Sequence, residues 1–84
     1  MKYSFDVSIF PNPASDVVSV TIENQYLLTH NVYIVSSDGR IHRSIEDTYE
    51  SSLSFSISNL SSGIYFVKVI AGNYISTQKL ILIK

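Results

Sequence analysis

Residues 53–58 read Leu-Ser-Phe-Ser-Ile-Ser, apolar and serine in strict alternation. Successive side chains of an extended chain point to opposite faces. Leu53, Phe55 and Ile57 therefore form a face that must be buried, and Ser54, Ser56 and Ser58 one that keeps water. A helix would spread the same residues around its circumference. The period of two recurs upstream. Phe5, Val7 and Ile9 alternate with Asp6 and Ser8, and Val18, Val20 and Ile22 with Ser19, Thr21 and Glu23. Single-faced strands of this kind must pack against one another, which points to stacked sheets.

Punctuation between these segments supports the same reading. The Pro11-Asn12-Pro13 corner ends the first strand (residues 5–10), because each proline fixes φ and removes a ladder donor. A second strand spans residues 17–23 and a polar stretch follows over 24–30. Strands at 31–36 and 41–45 flank Asp38-Gly39, read as a two-residue hairpin because both residue types tolerate positive φ. The acidic, aperiodic segment 46–52 reads as a loop. After the strand at 53–57 the chain turns through Asn59-Leu60-Ser61-Ser62-Gly63. Residues 64–71 form a strand apolar on both faces, Gly72-Asn73 a II′ hairpin with glycine first, and 74–84 the last strand. Seven short strands at a spacing of roughly twelve residues predict an antiparallel immunoglobulin-like β-sandwich.

Composition limits what such a sandwich can do. With 84 residues the chain makes one domain, its ordered part expected over about 5–84. There is no cysteine, so neither a disulfide nor a thiolate metal site braces it. Six basic residues against seven acidic ones leave a net charge of −1, without the clustered lysine and arginine that nucleic acid requires. The longest apolar runs are broken by Lys68 and Lys79 and fall short of the ~20 residues of a transmembrane helix. No membrane insertion is expected. No signal peptide follows Lys2, and Met1 reads as a start codon added to a fragment of a longer protein.

A search for chemistry finds little. A nucleophile needs a base and the base an orienting group, yet the only histidines are His30, in the polar stretch before the third strand, and His42, on the fourth. His42 near Asp38 reads as a surface histidine on a hairpin rather than a triad fragment. Glu46, Asp47 and Glu50 share one loop, but their spacing fits no calcium pattern and no glycine tightens the turn, so a solvated acidic loop is the better reading. No catalytic residue, metal ligand or cofactor is expected. Tyr26, Tyr49 and Tyr74 lie in or near loops, where aromatic faces suit sugars. Tyr33 and Tyr65 fall on strands, where packing explains them.

Three ordered motifs carry a resemblance. Ile9-Phe10-Pro11-Asn12-Pro13-Ala14-Ser15-Asp16 precedes a β-branched strand, Val35-Ser36-Ser37-Asp38-Gly39-Arg40 forms a central turn, and Leu60-Ser61-Ser62-Gly63-Ile64-Tyr65-Phe66-Val67-Lys68-Val69 follows. Thr77-Gln78-Lys79-Leu80-Ile81-Leu82-Ile83-Lys84 closes the chain. From about residue 5 to 84 this resembles the type A C-terminal sorting domains of the type IX (Por) secretion system of Bacteroidetes.

The resemblance implies an export signal, not an enzyme. Its cargo is covalently attached at the N-terminus, transits the periplasm, meets the type IX translocon and ends secreted or on the cell surface, usually after cleavage by a sortase-like protease. Recognition is expected at Gly63, Tyr65, Lys79, Leu80, Ile81, Leu82, Ile83 and Lys84, through addition of a strand to the terminal strand. Pro11, Asn12 and Pro13 are expected to shape the opposite corner, and Asp38, Gly39 and Arg40 the central turn. An edge strand offers a weak homodimer contact. The competing readings are a carbohydrate-binding or adhesion module and a passive spacer domain of a secreted enzyme.

Overall fold

A computed structural model describes residues 5–24 and 29–84, so Tyr26 lies outside the described residues. Their seven strands are β1 (Phe5–Phe10), β2 (Val17–Asn24), β3 (His30–Ser36), β4 (Ile41–Thr48), β5 (Ser52–Ser56), β6 (Gly63–Ala71) and β7 (Tyr74–Leu82). They form a three-stranded sheet in the order β1-β2-β5 and a four-stranded sheet in the order β4-β3-β6-β7, each antiparallel throughout. The result is an immunoglobulin-like sandwich in which β4 stays beside β3. The constant-type arrangement instead places the fourth strand beside the fifth.

Register keeps the alternating patterns in phase. Ile9 sits opposite Val20 and Val20 opposite Leu53, while Val18 faces Phe55. These inward residues meet Val32, Ile34, Val67, Val69, Leu80 and Leu82 of the other sheet, and all but Ile9 are buried. A slip of one residue would carry Ser54 and Ser56 into the core, so the alternation defends its own register.

Four sequence expectations change. Segment 46–52 is not all loop, because β4 continues to Thr48. The ladder shifts between the pairs Val32–Ile45 and His30–Thr48, and Asp47 takes φ 52° at that bulge, where its N–H donates to Asn31 Oδ1 at 2.8 Å. A bulge inserts an extra residue and breaks the period of two, which is why the strand looked aperiodic. His30 is not in a polar connection. It opens β3 and is 3% exposed, with Nε2 2.7 Å from the Glu50 carbonyl. A carbonyl only accepts, so Nε2 carries the proton, and Nδ1 has no partner among the described residues.

The Asp38-Gly39 hairpin has a three-residue loop rather than two. Ser36 N–H donates to Arg40 O at 2.9 Å, Gly39 N–H to Ser36 O at 2.9 Å, and only Gly39 has positive φ, at 86°. This is a type I turn followed by a left-handed glycine. At the chain's end, β7 stops at Leu82 instead of running to Lys84. By contrast, Ala71 pairs directly with Tyr74, and Gly72 alone takes positive φ, as a II′ turn demands.

An odd number of alternating strands puts the first and last described residues at opposite poles of a body 43 Å long. One pole holds the start of β1, the β4–β5 connection and the Gly72-Asn73 hairpin. The other holds residues 11–16, the Ser37–Gly39 loop, residues 57–62 and the C-terminal Lys84.

Ile34 is fully buried whereas Ile75 is 62% exposed on the outer face of β7. Ile34→Ala should cost about 2–5 kcal/mol in urea denaturation, by lost burial and the cavity left behind. Ile75→Ala should change stability by less than about 0.5 kcal/mol.

Candidate functional site: the motif-bearing pole

The Pro-Asn-Pro corner is joined to the C-terminal strand. Both Phe10–Pro11 and Asn12–Pro13 are cis, and the segment then runs alongside β7. Asn12 Nδ2 donates to Lys79 O at 2.8 Å, while its Oδ1 accepts from Ile81 N–H at 3.0 Å. Its side-chain amide thus stands in for a peptide group of a neighbouring strand. Ala14 N–H donates to Ile81 O at 2.8 Å and accepts at its carbonyl from Ile83 N–H at 2.9 Å, forming a parallel bridge opposite Leu82. Ala14 is 3% exposed, so the approach suits a small side chain. The corner therefore lies against the terminal strand, not opposite it as the sequence suggested. Polar contacts across the sandwich are invisible to local pattern.

This clamp limits strand addition. In β7, alternate residues turn their backbone groups toward the edge away from β6. On that side Lys79 O, both backbone groups of Ile81 and Ile83 N–H are already engaged. Among the described residues no backbone group pairs with the edge at Ile75 and Thr77, nearer the opposite pole.

Lys84 closes the same pole. Its Nζ donates to the carbonyls of Ser15 at 2.5 Å, Ile57 at 2.9 Å and Ser58 at 3.0 Å, while its N–H donates to Ser62 Oγ at 3.0 Å. Three backbone dipoles converge on one ammonium, bonds stronger than neutral ones. Ile57 N–H donates to Asp16 O at 2.8 Å, so the β1–β2 and β5–β6 connections meet around it.

The third motif supplies the other wall. Tyr65 is 5% exposed, with its hydroxyl donating to Ser61 O at 2.7 Å and its ring edge-on to His42 at 5.6 Å. Gly63 pairs with Leu82 at φ 156°, a backbone that side chains rarely adopt. Between this turn and the β3–β4 hairpin lies a polar cleft of about 360 Å³, lined by Asp38, Arg40, His42, Ser61 and Ser62 among others. Asp38 accepts from Ser36 Oγ and from Arg40 N–H, not from His42, so no triad geometry forms. Those bonds, the Ser36 hydroxyl first, hold the Asp38 carboxyl below its ordinary range.

The expected site residues divide by accessibility. Leu80, Leu82 and Tyr65 are core, so a partner cannot read them directly. Pro11, Asn12, Pro13, Asp38, Gly39, Arg40, Gly63, Ile83 and Lys84 are exposed at this pole. Ile81 is half-buried and Lys79 exposed on the outer face of the sheet. Sequence reasoning missed Arg43, whose guanidinium bonds Ser56 O, His42 O and Asn59 Oδ1 and fastens β4 to the opposite sheet. No local signal marks it, since Asn59 lies 16 positions away. Glu46 is drawn out of the acidic group to accept from Tyr33 OH at 2.8 Å, which raises the tyrosine's ionisation above its ordinary range.

Asn12→Ala should cost about 1–2 kcal/mol and speed hydrogen exchange at the Ile81 amide before the rest of β7. Lys84→Met should cost about 1.5–3 kcal/mol in the same denaturation assay, by loss of its charge-assisted bonds. For Asp38, a depressed carboxyl stabilises the fold above the unfolded-state value, and that contribution is lost as pH falls through the folded-state value. An NMR titration should therefore find Asp38 titrating below ordinary aspartate, and Asp38→Asn should remove that part of the acid sensitivity.

Comparison with known proteins agrees with this geometry. A domain of Faecalibacterium prausnitzii β-glucuronidase superposes with a TM-score of 0.76 at 17% identity, covering 96% of this chain and 14% of that one. The BSP domain of a biofilm-associated protein superposes with a TM-score of 0.65 at 17% identity, covering 90% of this chain and 14% of that one. At such identities the likeness is one of fold, and this chain spans only a small part of either protein. No curated protein matches the sequence. The secretion system C-terminal sorting domain matches residues 8–84, which include all three motifs. The chain therefore belongs to the family of type IX secretion system C-terminal sorting domains.

Proposed function

We propose that this domain carries a cargo protein at its β1 pole and presents the opposite pole to the type IX translocon. Convergence of the motifs carries this reading. The Pro-Asn-Pro corner, the Ser61–Gly63 turn and Lys84 lie within one hydrogen-bonded assembly at the far end of the sandwich from Phe5, and the Asp38-Gly39-Arg40 turn lines the polar cleft beside it. A cargo joined before β1 leaves that pole uncovered. The accessible recognition groups are Arg40, Ile83 and the polar cleft. Gly63, Tyr65, Leu80 and Leu82 act by holding them in place.

In this scheme the domain is signal and substrate. It holds the address through periplasmic transit, and a sortase-like protease then cuts on the cargo side of β1. Cargo reaches the surface or the medium. Catalysis belongs to the partners.

Fusing residues 1–84 to the C-terminus of a periplasmic reporter, in a strain with this secretion system, should move the reporter outside the cell. A reporter that stays periplasmic would sink the reading. Deleting residues 80–84 is a poor test, because it removes core Leu80 and Leu82 along with the Lys84 anchor. Arg40→Glu leaves the core intact and should lower export while the melting temperature holds.

A further inference from the structure

The two outer faces of the sandwich are chemically unlike. On the three-stranded sheet, Asp6 lies opposite Glu23, Ser8 opposite Thr21 and Thr21 opposite Ser52. That is the polar outer face an antiparallel sheet ordinarily turns to water. On the four-stranded sheet the outward rows are Ile41-Val35-Phe66-Lys79, Tyr33-Lys68-Thr77 and Ile70-Ile75. Val35, Phe66 and Ile70 are half-buried, while Ile41 is 56% and Ile75 62% exposed. A shallow groove of about 470 Å³ runs across this face, lined by Val35, Ile41, Phe66, Ile70 and the stem of Lys68. None of these residues belongs to the buried core between the sheets.

The charges set among these apolar side chains are both positive, and a carboxylate sits at the β4 rim. Lys68 and Lys79 stand among the apolar side chains, and neither ammonium has a hydrogen bond or ion pair with any described residue. The carboxylate at its rim, Glu46, is occupied by the Tyr33 hydroxyl.

We propose that the outer face of β4-β3-β6-β7 docks a protein partner whose own surface is apolar and places carboxylates opposite Lys68 and Lys79. The proposal rests on the sorting reading, in that this partner belongs to the export machinery. It adds a second contact surface beside the motif pole. Two observations select this occupant over a second copy of the chain. Self-pairing across a two-fold axis presents a face whose two central charges are both lysines to itself, and like charges in an interface are repulsive. The face is also small. Four strands ~4.8 Å apart and about eight residues long cover roughly 500 Å², less than each partner buries in a stable complex. Such a contact suits an export step, where the partner must release. Two lysines also fall short of the four to eight basic residues that mark binding to anionic lipid.

The test uses the reporter fusion with Lys68→Glu/Lys79→Glu and, separately, Ile75→Asp. Asp6→Lys and Ser54→Lys on the other outer face serve as controls. Thermal melts establish that every variant folds. The face variants should cut the secreted fraction about tenfold or more, the effect of losing about 1.4 kcal/mol at a contact. The controls should export normally. If folded face variants export like the wild type, the docking surface is rejected and the sorting reading stands. Failure of the wild-type fusion itself to leave the periplasm overturns both. Sedimentation of the purified domain showing a dimer that Lys68→Glu/Lys79→Glu abolishes assigns the face to self-association. Lysine-dependent binding to phosphatidylcholine/phosphatidylglycerol vesicles at physiological salt assigns it to lipid. Either result overturns the protein partner.

Discussion

The lateral union of residues 12–14 with β7 organises this molecule. Every sandwich must deal with the open edge of its last strand, because unpaired backbone groups there invite other chains. Here Asn12 and Ala14 occupy the terminal half of that edge, one through its side-chain amide and the other through its backbone. The same contact links a corner near the start of the chain to its last residues and lies across the gap between sheets. Lys84 then ties the tail to Ser15, Ile57 and Ser58, so two connections from different parts of the chain converge on one ammonium.

Convergence gives the domain a polarity suited to a signal. The proposed cargo joins at the pole where β1 begins, and the motifs lie at the other end of the long dimension. Much of the family's characteristic sequence proves to be internal carpentry. Tyr65 fills the core and ties down its own turn, Asn12 braces a strand, and Asp38 shapes a hairpin. Residues that build the surface outnumber those that display chemistry on it. On the proposed reading the address is a shape; Arg40, Ile83 and the serine-lined cleft are accessible at this pole.

The polarity has a second axis, across the sheets. One outer face is serine, threonine and carboxylate, while the other is largely apolar and carries Lys68 and Lys79. Nothing in the core demands this difference, because both inner faces are fully supplied with apolar side chains by the alternate residues. A strand buried on one side only can afford polar residues on the other. β6 keeps Ile64, Phe66 and Ile70 outward regardless. The sequence shows that strand as apolar on both faces, and in the fold it lies inside its sheet, between β3 and β7, with Phe66 and Ile70 half-buried on the outer side.

By itself the sequence determined the class of fold, the strand faces and most turns, because these depend on neighbours two to four positions apart. Alternation in residues 5–10, 17–23 and 53–57 survives intact in the sheets, and Gly72 takes the positive φ its hairpin required. The motifs also carried the family, since a linear pattern is what a family shares. Tertiary structure alone decided which connections meet. Asn12 grips a strand 67 positions away, Lys84 reaches back 69 positions to Ser15, and Arg43 finds Asn59 in the β5–β6 connection. The bulge at Asp47 and the burial of His30 belong with these, because each is set by the strand or carbonyl across from it. Periodicity reports which face a residue occupies; only packing determines what that face meets.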